Sequence, residues 1–247
     1  MNLHEHKEEF EELIAIVADY IGVPADAVRR DYYIVQMMQN LQNSEYTEVC
    51  VFKGGTSLSK CYPGSINRFS EDIDLTFIPV EDMTNKKYSK ALKRVEDTIS
   101  AGFLMEKIEA ERNDRNKSAF VWPENESKET CRVKLEIGSS VRPDPFSKRS
   151  MKTYIQAYLE EKGMQDVVTE FDLQEVKVNT LDMRLTYLPV TNLSLTHSLQ
   201  RDYRLDAWGS LRVAFTWPPL SKNKIFCVFE SDLLHILLAD SIISTSK

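Results

Sequence analysis

Nowhere in this 247-residue sequence do about 18 apolar residues run together, so nothing in it reads as a membrane span. The first residues, through Glu12, are charged rather than apolar, which excludes a secretory leader reading there. Cysteine is scarce. Cys50, Cys61, Cys131 and Cys227 show no CxxC spacing, which argues against a zinc site or a disulfide framework and for small core residues of a cytosolic protein. The four histidines, His4, His6, His197 and His235, fall in no metal-ligand or triad spacing. A Walker loop, GxxxxGK[ST], is missing. So is an excess of positive charge: the net charge is -7 and the pI about 5.3. A non-specific nucleic-acid binder is usually basic, so any such contact here must come from a local patch. Internal repeats and low-complexity tracts are absent as well.

What is present is an ordinary globular composition, 42% hydrophobic and 28% charged, on a chain long enough for one large domain or two small ones. Residues 4–21 alternate at helical spacing, with Phe10, Leu13, Ile14, Val17 and Tyr20/Ile21 on one side and glutamates on the other. Gly22 closes that helix, and Pro24 opens a second one that runs to about Gln42. Val49 to Phe52 reads as a buried strand. A turn at Lys53-Gly54-Gly55 and a short helix from Thr56 to Tyr62 follow. Residues 72–78 alternate as a strand, a helix is predicted from about Thr84 to Met105, and strands are predicted near 119–122, 132–137 and 175–178. Arg142-Pro143-Asp144-Pro145 is a break. Beyond about Asp182 lysine and glutamate thin out. These changes put one boundary near residue 150, with a core in 1–150 and a C-terminal region in 151–247, and a second change of character near 183.

Three features carry chemistry. Strand, then Lys53-Gly54-Gly55-Thr56-Ser57, then helix is a phosphate-binding arrangement: glycines let backbone N–H groups approach phosphate oxygens, and a helix N-terminus favours negative charge. Thr56 and Ser57 add hydroxyls, and Lys53 and Lys60 add positive charge near the phosphates. Next, Asp72 and Asp74 lie two apart on a strand and so project to one side. Paired carboxylates of this kind suit magnesium, which takes a few acidic oxygens plus substrate phosphates. Third, Glu136 sits on the polar side of a strand with Lys134. If that strand lies beside the aspartates, three carboxylates converge and can hold two metal ions. Lys86, Lys90, Lys93 and Arg94 share one helix face and are the candidate contact for RNA phosphates. A bare DxD also marks glycosyltransferases, which would need a sugar-nucleotide pocket that the Gly-Gly-Thr-Ser upstream does not predict.

Taken together, Val51-Phe52-Lys53-Gly54-Gly55-Thr56-Ser57-Leu58-Ser59-Lys60 and Arg68-Phe69-Ser70-Glu71-Asp72-Ile73-Asp74-Leu75 resemble the AbiEii/AbiGii toxin family of nucleotidyltransferases, within the DNA polymerase β-like superfamily. Arg30-Asp31-Tyr32-Tyr33 is similar to that family's helix before the first strand, and Lys134-Leu135-Glu136-Ile137 to the strand bearing the third carboxylate. The resemblance covers roughly residues 25–140. It implies a mixed α/β (α+β) fold, a nucleotidyltransferase-like mixed sheet flanked by helices with a divergent C-terminal segment. It also implies two Mg²⁺ ions on Asp72, Asp74 and Glu136, an NTP substrate, and a cytoplasmic toxin or phage-defence role opposed by a cognate antitoxin. Relatives such as the MenT toxins add nucleotides to the 3′ end of tRNA, which makes RNA the expected acceptor. The sequence departs from the family after Leu181, where no lysine-bearing helix appears and Pro189 interrupts any helix. That departure keeps open the alternative of a catalytically inactive relative that binds a nucleotide or a partner.

Overall fold

The computed structural model describes residues 2–66, 71–79, 83–139 and 143–184, and the backbone of 201–205, 211–215, 225–230 and 233–236. A 3-10 turn, Leu3–Glu5, leads into α1 (Lys7–Ile21), which buries Phe10, Leu13, Ile14 and Val17 and ends at Gly22 in the left-handed conformation. The next helix, α2 (Ala25–Gln42), is buried on most of its circumference because it serves two cores. Val28, Tyr32 and Tyr33 pack with α1 and the helices α6 (Tyr154–Glu161) and α7 (Gln165–Glu170). Ile34, Val35, Met37, Met38 and Leu41 pack on the sheet.

That sheet has seven strands. Along the chain they are β1 (Cys50–Lys53), β2 (Asp72–Phe77), β3 (Leu104–Lys107), β4 (Asn116–Trp122), β5 (Val133–Gly138), β6 (Phe146–Met151) and β7 (Val176–Leu181); across the sheet the order is β3-β4-β5-β2-β1-β7-β6. β2 is parallel to β5 and β1 to β7, and the remaining neighbours are antiparallel, so the sheet is mixed. Helix α3 (Gly54–Cys61) joins β1 to the loop before β2, and α4 (Asn85–Ile99) follows β2. α4 buries Tyr88, Leu92, Val95 and Ile99 against the sheet face that carries Ile73, Leu75, Leu135 and Ile137. Strand side chains alternate, so the residues between those apolar ones turn to the opposite face.

Two differences from the sequence reading have clear causes. The helix predicted to reach Met105 stops at Ile99. The amide of Asn40, on α2, donates to the carbonyls of Ile99 (3.1 Å) and Ala101 (3.0 Å), and Gly102 turns with φ 83° into β3. β6 was not foreseen: five of its six residues are exposed, so it carries no apolar alternation. A short α5 (Lys128–Cys131) precedes β5.

The chain divides into two compact units, Met1–Tyr187 and Leu188–Lys247; residue 150 falls inside β6, and the sheet continues through β7. The second unit contains four antiparallel strands in sequential order, β8 (Arg201–Leu205), β9 (Leu211–Phe215), β10 (Ile225–Glu230) and β11 (Leu233–Ile236). No described helix is long and apolar enough to cross a membrane.

One ion pair locks α4 to the β3–β4 connection. Arg112 grips Glu96 with both guanidinium arms (2.5 and 2.8 Å), Glu96 is wholly buried, and Arg112 also donates to the Ser118 carbonyl. Arg112→Met alone should therefore cost about 3–5 kcal/mol in urea unfolding, because it strands a buried carboxylate. Glu96→Leu/Arg112→Met should cost distinctly less. Equal losses in the two variants would rule out this account.

Candidate active site

The site grows out of the end of β1. Cys50, Val51 and Phe52 are buried, and Lys53 continues in extended geometry before Gly54 turns with φ 80°. A left-handed φ suits glycine. A second constraint acts on the same residue: a Cβ on Gly54 would lie 2.3 Å from Asp74 Oδ2. The carboxylate of Asp74 thus occupies the space where any other residue would carry its side chain.

Register explains why Asp74 is there. Lys53 pairs with Asp74 across β1 and β2, and Asp74 pairs with Glu136 across β2 and β5, so Lys53, Asp74 and Glu136 form one row over three adjacent strands. The neighbouring row pairs Asp72 with Lys134. Ile73 and Leu75, and Leu135 and Ile137, are driven into the core by alternation, which leaves the acids on the other face. Asp72 is exposed, while Asp74 and Glu136 are half-buried. Burial pushes the Asp74 carboxyl up to about 6. Lys53 opposes the shift, and Glu136 and Asp72 add to it. Lys134 Nζ lies 2.5 Å from Glu136 and 2.8 Å from Glu111, and the two acids hold its pKa above the usual lysine value.

α3 begins at Gly54, and the side chain of its N-cap residue, Lys53, makes no capping hydrogen bond. The first N–H groups of a helix have no partner within it. Here they open beside the acidic row, an arrangement that can receive an anion next to carboxylates that need a cation. Among the described residues no three acidic, histidine or cysteine side chains close to metal-coordinating geometry. Magnesium keeps water and substrate oxygens as ligands, so Asp74 and Glu136 in side-chain contact, with Asp72 two residues away on the same strand face, form a donor set of suitable chemistry.

A family model described as "Nucleotidyl transferase AbiEii toxin, Type IV TA system" matches residues 36–182, more than half of the chain and all of this row. The chain belongs to the AbiEii nucleotidyltransferase toxin family. Among solved structures, the nucleotidyltransferase toxin MenT4 from Mycobacterium tuberculosis H37Rv matches with TM-score 0.43 and 19% identity, over 68% of this chain and 54% of that one. JHP933 from Helicobacter pylori matches with TM-score 0.32 and 25% identity, over 48% and 46%. This AbiEii chain therefore spans about half the length of those structures. No curated protein matches it.

Within this AbiEii site the expected residues separate. Lys53, Gly54, Asp74 and Glu136 come together, with Gly55 next in the chain, while Asp72 lies in the neighbouring row, exposed and opposite Lys134, so the three expected carboxylates do not close into one cluster. Thr56 and Ser57 are at the right place, but their hydroxyls turn inward: Ser57 Oγ donates to the Gly54 carbonyl (2.9 Å), and Thr56 Oγ1 is buried with no hydrogen-bond partner. Both residues are buried, backbone included, whereas Gly54 and Gly55 before them are partly exposed. Lys60 is not at the row. It shares a helix face with Thr56, at i and i+4, and its ammonium is buried against Asp31 at 2.5 Å. Lys86, Lys90, Lys93 and Arg94 are exposed, but α4 covers the opposite side of the sheet from the acids. Arg68, Phe69 and Ser70 lie outside the described residues. Sequence reasoning missed Glu111 as the partner of Lys134, since nothing in its spacing marks it.

Two outcomes are expected. Gly54→Ala should lose about 1–3 kcal/mol of stability in urea unfolding and displace Asp74, since both φ and the contact oppose a Cβ; unchanged unfolding would contradict the close approach. The folded chain also holds the Asp74 proton more tightly than the unfolded chain does. In chelator, the contribution of Asp74 to stability, read as parent minus Asp74→Asn, should therefore be greatest below about pH 4 and fall as pH rises to about 6, by at most about 3 kcal/mol. Asp74→Asn should remove that slope.

Proposed function

We propose that this chain is a magnesium-dependent nucleotidyltransferase that moves a nucleoside monophosphate from an NTP to the 3′ end of an RNA, with tRNA as the acceptor. We further propose that it acts as the cytoplasmic toxin of a toxin–antitoxin or phage-defence pair. One observation carries the reading: the start of α3 lies against Asp74, which is in register with Glu136.

The backbone N–H groups of Gly54 and Gly55 hold the β- and γ-phosphates, with Thr56 and Ser57 buried behind them as the rest of the first turn and Lys53 neutralising charge beside them. The Ser57 hydroxyl keeps the first turn of α3 closed rather than touching nucleotide. Asp72, Asp74 and Glu136 present oxygens for two Mg²⁺ ions, which when bound neutralise phosphate charge and acidify the acceptor hydroxyl. Glu136 takes the proton from that hydroxyl. The hydroxyl oxygen bonds to the α-phosphorus as the bond to the pyrophosphate oxygen breaks, and pyrophosphate leaves along the Gly54–Gly55 backbone. Lys60 has no part in these contacts, because its charge is committed to Asp31. The Lys86–Arg94 stripe, on the reverse side, suits only a distant stretch of a large acceptor.

The test incubates the full chain with Mg²⁺, each labelled NTP in turn, and total tRNA. Label should appear on RNA, and Asp74→Asn should lower it on the order of 10²–10³-fold or more. NTP binding without transfer would replace this reading with the inactive relative. Neither binding nor transfer by a folded sample would sink the site.

A further inference from the structure

The motif Arg30-Asp31-Tyr32-Tyr33 has no role in the mechanism above, yet its first two residues reach both halves of the site. Arg30 donates to Glu71 Oε1 at 2.6 Å, and Glu71 immediately precedes Asp72 on the carboxylate strand. Asp31 accepts from Lys60 Nζ at 2.5 Å, and Lys60 lies on α3, the helix whose first turn is the phosphate loop. The other Asp31 oxygen accepts from the backbone N–H of Tyr154 at 2.8 Å, where α6 begins, and the Tyr154 ring lies 4.1 Å from the Lys60 ammonium.

The Asp31–Lys60 pair is buried on both sides, with each side chain 5% exposed. Burying two charges is expensive, and an apolar pair of the same size often serves stability as well, so stability alone is a weak reason for the pair. Geometry supplies another. α3 has eight residues, too few to hold a helix without tertiary contacts. Its start must nevertheless be fixed closely enough for Asp74 to lie against Gly54. Between the two links is a small cavity, lined in part by Arg30, Asp31, Thr56, Lys60 and Glu71, with room for about one water. Arg30 Nε and Thr56 Oγ1, both buried and without hydrogen-bond partners, belong to residues that line it.

We propose that Arg30 and Asp31 are positioning residues: from adjacent places on α2 they hold the carboxylate strand and the phosphate helix in mutual register, and a buried water completes the link between Arg30 and Thr56. The inference rests on the reading of Gly54–Ser57 as the phosphate loop.

The experiment uses the full chain and Asp31→Asn/Lys60→Met, which removes both charges and leaves no lone buried ion. Amide hydrogen exchange is followed first without metal or nucleotide. Exchange in Gly54–Cys61 should quicken tenfold or more, with β3 and β4 unchanged as an internal reference. Arg30→Met should do the same at Asp72 and Ile73. Binding of the four Mg²⁺–NTPs should then weaken at least tenfold in the double variant, and Lys60→Arg should retain most of it. A uniform rise in exchange across β3 and β4 would mean that the pair serves stability alone, and exchange within twofold of the parent would likewise overturn the clamp. If the buried variant does not fold, Arg30→Met, which breaks a partly exposed pair, decides by the same criterion. A parent that binds no NTP would sink the transferase reading, and the exchange comparison would still decide the clamp.

Discussion

The contact between Gly54 and the Asp74 carboxylate is the constraint on which the rest of the site depends. It requires a residue without a side chain, a left-handed turn at the end of β1, and a strand pairing that puts Asp74 opposite Lys53. A shift of one residue in the β1–β2 register would turn Asp72 and Asp74 into the core and Ile73 and Leu75 out to solvent. The apolar alternation of β2 and β5 thus specifies the active row as firmly as it specifies the core.

α2 is the other organising element. It contributes Tyr32 and Tyr33 to one hydrophobic cluster and Met37, Met38 and Leu41 to another, while its neighbours Arg30 and Asp31 reach β2 and α3. A helix committed on so many sides has little freedom to tilt, and what it holds inherits that rigidity. The inward turn of the Thr56 and Ser57 hydroxyls fits the same pattern: these two residues brace the first turn of α3, and Gly54 and Gly55 are its partly exposed part.

Much of this was legible in the residues. Period-two alternation located Asp72, Asp74, Glu136 and Lys134 on one face, and helical spacing located the buried residues of α1. What escaped had no local signal. β6 is an edge strand of exposed residues, and the stop of α4 depends on an amide from α2 that is distant in sequence. Lys60 looked like a phosphate ligand because it follows the glycines. Its partner Asp31 lies 29 residues earlier, on α2, and only the tertiary fold brings the two together.

Charge balance at the acidic row has a consequence for how a ligand arrives. Among the described residues, the two rows and their ion pairs bring Asp72, Asp74, Glu136 and Glu111 together with Lys53 and Lys134, so carboxylates outnumber ammonium groups there. A bare polyanion drifting toward this surface meets net repulsion, and the helix start behind it is too short-ranged to overcome that from afar. On the proposed mechanism the same molecule accompanied by its own counter-cations is drawn in, the cations going to the acids and the phosphates to the start of α3. Such an entrance, on that mechanism, favours a nucleotide that arrives with its cations over a free phosphate ester.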